Sequence, residues 1–91
     1  DIYQKVDDDF KYHLQQIANG SSFNTHYNYL LNKYLCKREN TPIKVNTSKI
    51  NTFYYYCTGL QFDKGNYIHS VKVSFDDKIN CVTKVDIVQG K

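Results

Sequence analysis

The 91-residue chain predicts a single α+β domain spanning 1–91. Two N-terminal helices pack on one face of a three-stranded antiparallel β-meander, and Ile43–Val45 is a candidate fourth strand. Three observations lead there. Apolar residues recur at helical spacing between Phe10 and Leu35. From Tyr67 to Val88 they alternate, which is the period of a half-buried strand. Phe62-Asp63-Lys64-Gly65-Asn66 and Asp76-Asp77-Lys78 carry turn residues between β-rich runs.

Residues 1–6 have no strong pattern and read as a lead-in. Asp7-Asp8-Asp9 supplies an N-cap and an acidic first turn, favourable at the positive end of a helix. Phe10, Leu14, Ile17 and Ala18 then form one stripe, and Asn19-Gly20 stops a helix over about 8–19. Ser21 or Ser22 caps a second helix, about 22–36, whose stripe is Phe23, Tyr27, Leu30, Leu31, Tyr34 and Leu35. Lys37, Arg38 and Pro42 mark its end. Asn46-Thr47-Ser48 matches a glycosylation sequon, and a polar turn is the simpler reading.

Strands are expected over about 52–60, 66–75 and 79–88. Thr52-Phe53-Tyr54-Tyr55-Tyr56-Cys57-Thr58 has β-favouring composition. Three-residue loops at both turns pair Cys57 with Val71 and Val73 with Cys81, so odd-numbered residues share the core face. That face takes Phe53, Tyr55, Cys57, Tyr67, His69, Val71, Val73, Phe75, Ile79, Cys81, Val85 and Ile87. Tyr54, Tyr56, Ile68, Lys72, Val82 and Lys84 fall on the outer face, the expected partner-binding surface.

At this length core burial is marginal and a staple is useful. Three cysteines are present, with no Cys-x-x-Cys or His-spaced pair, so no metal site is expected. Cys57 and Cys81 share a face but lie two strand spacings apart, about 9–10 Å, beyond the roughly 7 Å limit for a disulfide. Cys36–Cys57 is the favoured bridge, Cys36–Cys81 the alternative, and three reduced cysteines the remaining possibility. His13, His26 and His69 have no catalytic spacing, and His69 reads as a structural core histidine. No phosphate loop, nucleophile elbow or carboxylate pair appears. No catalytic residue and no cofactor is expected, and the chain is read as a non-enzyme.

Net charge is +3, with the basic residues scattered, which argues against nucleic acid. Nine Tyr and five Phe favour a protein interface. No apolar run approaches the roughly 20 residues of a membrane span. The chain opens on Asp1. The expectation is a processed polypeptide, with membrane attachment through a removed N-terminal segment left open.

Several segments together resemble the SmpA/OmlA family of BamE-like outer-membrane lipoproteins. Ile17-Ala18-Asn19-Gly20-Ser21-Ser22 is similar to the family's start of helix 2, and Tyr29-Leu30-Leu31 to its helix-2 apolar pair. Pro42 is similar to the proline after that helix. Asn51-Thr52-Phe53-Tyr54-Tyr55-Tyr56 resembles its aromatic first strand, and Val71-Lys72-Val73-Ser74-Phe75-Asp76 its "L-x-V-x-F-(D/N)" strand. The Leu-Gly-x-Pro signature and the lipid-attachment cysteine are missing. The resemblance implies a periplasmic or secreted, non-catalytic module that docks on another protein in envelope assembly. No small-molecule substrate is expected. The alternative is a small inhibitor or immunity protein that blocks a toxin or enzyme. Tyr67 to Cys81 resembles a cystatin strand pair, though the glutamine-valine-glycine wedge is absent.

Overall fold

The computed structural model describes residues 1–91. Helix α1 (Ile2–Ala18) starts well before the acidic triplet. Asp1 is its cap, its carboxylate accepting from the Gln4 amide at 2.9 Å. Asp7-Asp8-Asp9 therefore lies inside the helix, and the expected boundary at residue 8 is corrected. Val6, Phe10, Leu14 and Ile17 form the buried stripe. Gly20, at φ +89°, takes the left-handed turn that separates α1 from α2 (Phe23–Tyr34). Ser22 caps α2, its hydroxyl accepting from the Thr25 amide.

The largest correction concerns residues 52–60, expected as the first strand. They belong mostly to a helix, α3 (Phe53–Phe62). The Thr52 hydroxyl accepts from the Tyr55 amide at 3.3 Å and caps it. Phe53, Tyr56, Cys57 and Leu60 are buried at i, i+3, i+4 and i+7. That spacing is helical, and packing of this stripe overrides the β-favouring composition. The first hairpin of the meander is thus absent, and Asp63–Asn66 connects a helix to a strand. Gly65 does adopt the expected left-handed conformation, at φ +92°.

The sheet has four strands: β1 (Pro42–Val45), β2 (Lys49–Thr52), β3 (Tyr67–Asp76) and β4 (Cys81–Gly90), in the order β2-β1-β4-β3. It is mixed rather than wholly antiparallel, because β1 runs parallel to β4. Strands β1 and β2 form a hairpin through Asn46 and Thr47, both at positive φ. The candidate fourth strand is therefore real. The coarse expectation also holds: an α+β fold with an antiparallel β3–β4 pair and helices over one sheet face.

The β3–β4 register differs from the expected one. Asp76 pairs with Cys81 across a four-residue turn, Phe75 with Val82 and Val73 with Val85. Ile79 falls in the turn and is exposed. The shift preserves parity, so Val71, Val85 and Ile87 still face the core. Two bulges break it locally, one carrying the extra residue His69 and the other Thr83. They turn Ile68 and Val82 inward, and both are fully buried. His69 is exposed, not a core histidine.

Helix α1 closes the free edge of β3. The buried Asp7 carboxylate accepts from the Val73 amide at 2.9 Å. The Gln15 side chain accepts from the Ile68 amide at 2.8 Å and donates to the Asn66 carbonyl at 3.2 Å. Unpaired strand amides are thereby satisfied and shielded from other chains. Asp7→Ala should destabilise the protein by about 1–3 kcal/mol, since it strands the Val73 amide. Asp7→Asn, which keeps an acceptor, should recover most of that loss in urea unfolding. Equal losses for both variants would refute the role.

Candidate functional site

The structure splits the expected partner surface three ways. Ile68, Val82 and Tyr56 lie in the core. Tyr56 is held there by its hydroxyl, which donates to the Gln89 side chain at 2.6 Å, and burial raises its pKa. Tyr54 is outward as expected, on the exterior of α3, but Tyr55, expected inward, is also exposed. A helix advances about 100° per residue, so strand alternation misassigns Tyr55 and Tyr56. Lys72 and Lys84 do lie on the sheet face away from the core.

The registers assemble that open face into one row. Ile50 of β2 is opposite Lys44 of β1, Lys44 opposite Asp86 of β4, and Asp86 opposite Lys72 of β3. Cross-strand partners share a face, so these four side chains cross the sheet from edge to edge. Lys84 joins them, its ammonium 3.6 Å from an Asp86 oxygen. That separation is an ion pair but not a hydrogen bond, and this buried oxygen has no hydrogen-bond partner. Three lysines thus surround one carboxylate, leaving the centre of the face basic.

At the β2 end the row becomes apolar. Ile50 and Tyr55 line one shallow hollow together with Pro42 and Thr52. Tyr55 meets Tyr54 with ring centroids 5.8 Å apart. Helix α3 contains no charged residue, yet Tyr54 is 48%, Tyr55 65% and Phe62 79% exposed. Ile50 is 66% exposed. Exterior helix faces are ordinarily polar, so an uncharged one beside an exposed isoleucine has the composition of a contact surface.

The disulfide joins Cys36 to Cys81, with Cα atoms 5.2 Å apart. This is the alternative pairing and corrects Cys36–Cys57. The chain leaving α2 runs alongside the start of β4: Leu35 bridges Val82, and the Cys36 amide donates to the Val82 carbonyl at 3.0 Å. Cys57 sits on the buried side of α3, and burial pushes its thiol pKa well up. The disulfide is the chemistry of an oxidising compartment. No helix is long and apolar enough to cross a membrane. At the sequon, both polar atoms of the Asn46 side chain are engaged by the Gln89 backbone, which fits the polar-turn reading.

A second group of polar side chains ties α1 to α2. Asp9 accepts from the hydroxyls of Tyr29 at 2.6 Å and Tyr34 at 2.5 Å, and faces His13 Nε2 at 3.3 Å. Lys33 donates to the Tyr29 hydroxyl at 2.9 Å. Burial alone would raise the Asp9 pKa. The two tyrosine hydrogen bonds and the charges of His13 and Lys33 outweigh it and hold the carboxyl below its ordinary value. His13 and His26 approach through their Nδ1 atoms at 2.8 Å, with ring centroids 5.0 Å apart. That centroid distance is about the nitrogen separation plus one ring radius at each end, so the two nitrogens point along one line. This is hydrogen-bond geometry, since chelating imidazoles would turn toward a common third point. No cluster of three or more His, Cys, Asp or Glu side chains suited to a metal is present.

Of this group, sequence reasoning missed the His13–His26 contact and both tyrosine bonds. Only the Asp9–His13 spacing of four residues on one helix was available as a signal. Among family models, curated proteins and solved structures, no significant match to this chain is found.

Proposed function

We propose that this chain is a non-catalytic, extracytoplasmic protein-binding module, periplasmic or secreted, that docks another protein on its open sheet face. The carrying observation is the continuous row from Tyr55 through Ile50 and Lys44 to Lys72. It offers an aromatic and aliphatic end for burial and a basic centre for steering. The partner it fits has an acidic surface next to an apolar projection. The Cys36–Cys81 bridge supports the compartment. The non-catalytic reading draws support from the Asp9 network, whose acid and base groups are engaged with one another.

Two forms of binding share this surface. One is an adaptor in envelope assembly, the role implied by the resemblance to BamE-like lipoproteins. The other is an inhibitor or immunity protein, favoured by the exposed Tyr54 and Tyr55 pair on a disulfide-stapled scaffold. They separate on whether the captured partner is an enzyme that loses activity on binding.

The test is affinity capture on the immobilised chain at low salt, comparing wild type with Lys44→Gln plus Lys72→Gln and with Tyr55→Ala. Each variant should weaken capture of the same partner by about tenfold, the lysine pair through the on-rate and with reduced salt dependence. Thermal unfolding should change little, because Tyr55 and Lys72 are exposed and Lys44 is only partly buried. Unchanged capture by both variants would refute the surface.

A further inference from the structure

We infer that the His13–His26 contact is an acid-released latch holding α2 against α1, able to accept one proton and broken by a second. The argument is a count of protons. Two Nδ1 atoms facing each other at 2.8 Å require one proton between them. Asp9 faces His13 Nε2, so the neutral pair places a proton there, and His26 then donates its Nδ1 proton to His13.

Adding one proton leaves this arrangement intact. The extra proton occupies His26 Nε2, one proton still lies between the Nδ1 atoms, and the Asp9 carboxylate balances the charge. A second added proton has only one place left, the remaining Nδ1. Two N–H groups then point at each other at hydrogen-bond distance, both rings carrying positive charge. The contact must open.

The groups facing the pair favour this order. From α1 they are Asp9 and Tyr12, and from α2 Tyr29, which stacks on His13 with centroids 4.1 Å apart, and Lys33 behind it. Asp9 is the single carboxylate among them and is already shared by Tyr29 and Tyr34. Burial first, then the His26 and Lys33 charges, lower the His13 pKa despite Asp9. The sign follows. A histidine with a folded pKa below its unfolded value contributes stability above about pH 6.5 that is lost as pH falls through the folded value.

Release would reach the docking surface. Tyr27 of α2 stacks on Phe53, with centroids 5.1 Å apart, and meets Tyr54 at 6.3 Å. Loosening α2 therefore frees the first turn of α3, where the aromatic end of that surface begins.

The test uses the full chain, isotope-labelled, between about pH 7.5 and 5. The His13 ring should titrate below the ordinary histidine value, because burial opposes its charged form. Amide protection factors along α2 should fall by about tenfold relative to the β3–β4 ladder. His26→Gln can donate to or accept from His13 by turning its amide, so the acid-induced loss of α2 protection should be much smaller in that variant, leaving only the part due to His13 burial. Should that variant not fold, His13→Gln tests the same point from the other side. Constant α2 protection in the wild type would overturn the latch, as would acid loosening that persists undiminished in the glutamine variant.

Discussion

Replacing Cys36 and Cys81 together by alanine should lower the unfolding free energy by about 4 kcal/mol. The bridge spans a sequence separation of 45 residues. In the chain-entropy picture, closing a loop of that length removes about this much freedom from the unfolded state. A domain this small has a total stability of roughly 5–15 kcal/mol, so the loss is a large fraction. The melting temperature should fall by roughly 20 °C. Reduction of the wild type should reproduce the effect, and the double variant should be insensitive to reductant. Peptide mapping without reduction should recover Cys36 linked to Cys81 and Cys57 as a thiol. A Cys36–Cys57 peptide, or a loss below about 1 kcal/mol, would overturn this account.

Phe53→Ala should cost about 3–5 kcal/mol. Phe53 is fully buried at the first position of α3 and stacks on Tyr27 of α2. Its amide also donates to the Thr41 carbonyl at 2.8 Å, tying the helix start to the beginning of β1. Truncation leaves a cavity where α2, α3 and the sheet meet, and its backbone anchors resist collapse into that space. Tyr54→Ala, one residue along and half exposed, should change stability by about 0.5 kcal/mol or less. The contrast discriminates helix from strand only in combination with Tyr55 and Tyr56. An outward Tyr55 and an inward Tyr56 require the helix, so Tyr56→Ala should be costly and Tyr55→Ala nearly neutral in urea unfolding.

The parts of the fold legible from sequence are those governed by local spacing. The α2 stripe, the Ser22 cap and the left-handed Gly20 and Gly65 all follow from neighbours a few residues apart. The α3 stripe was equally present, as Phe53, Tyr56, Cys57 and Leu60, but a run of tyrosines also suits a strand, and composition favoured the strand. Only the tertiary partners, Tyr27 and the sheet, decide between the two. The bulges at His69 and Thr83 leave no signature, because an extra residue in a strand looks like any other until its partner is known. The parallel β1–β4 pairing joins segments about half the chain apart, and no local pattern encodes it. That pairing is also what lines up Ile50, Lys44, Asp86 and Lys72. Lys72 and Lys84 were assignable to an outer face, whereas Ile50, at the other end of the same row, was not.

The closed edge along β3 has a consequence for self-association. Asp7 and Gln15 occupy the Val73 and Ile68 amides, two of the groups through which a neighbouring molecule would extend the ladder on that side. Strand β2 lies at the opposite end of the sheet. Strand addition at the β3 edge is thereby opposed. A fibril that grows by strand addition needs a free edge at both ends of the sheet, and the guarded β3 edge opposes that growth.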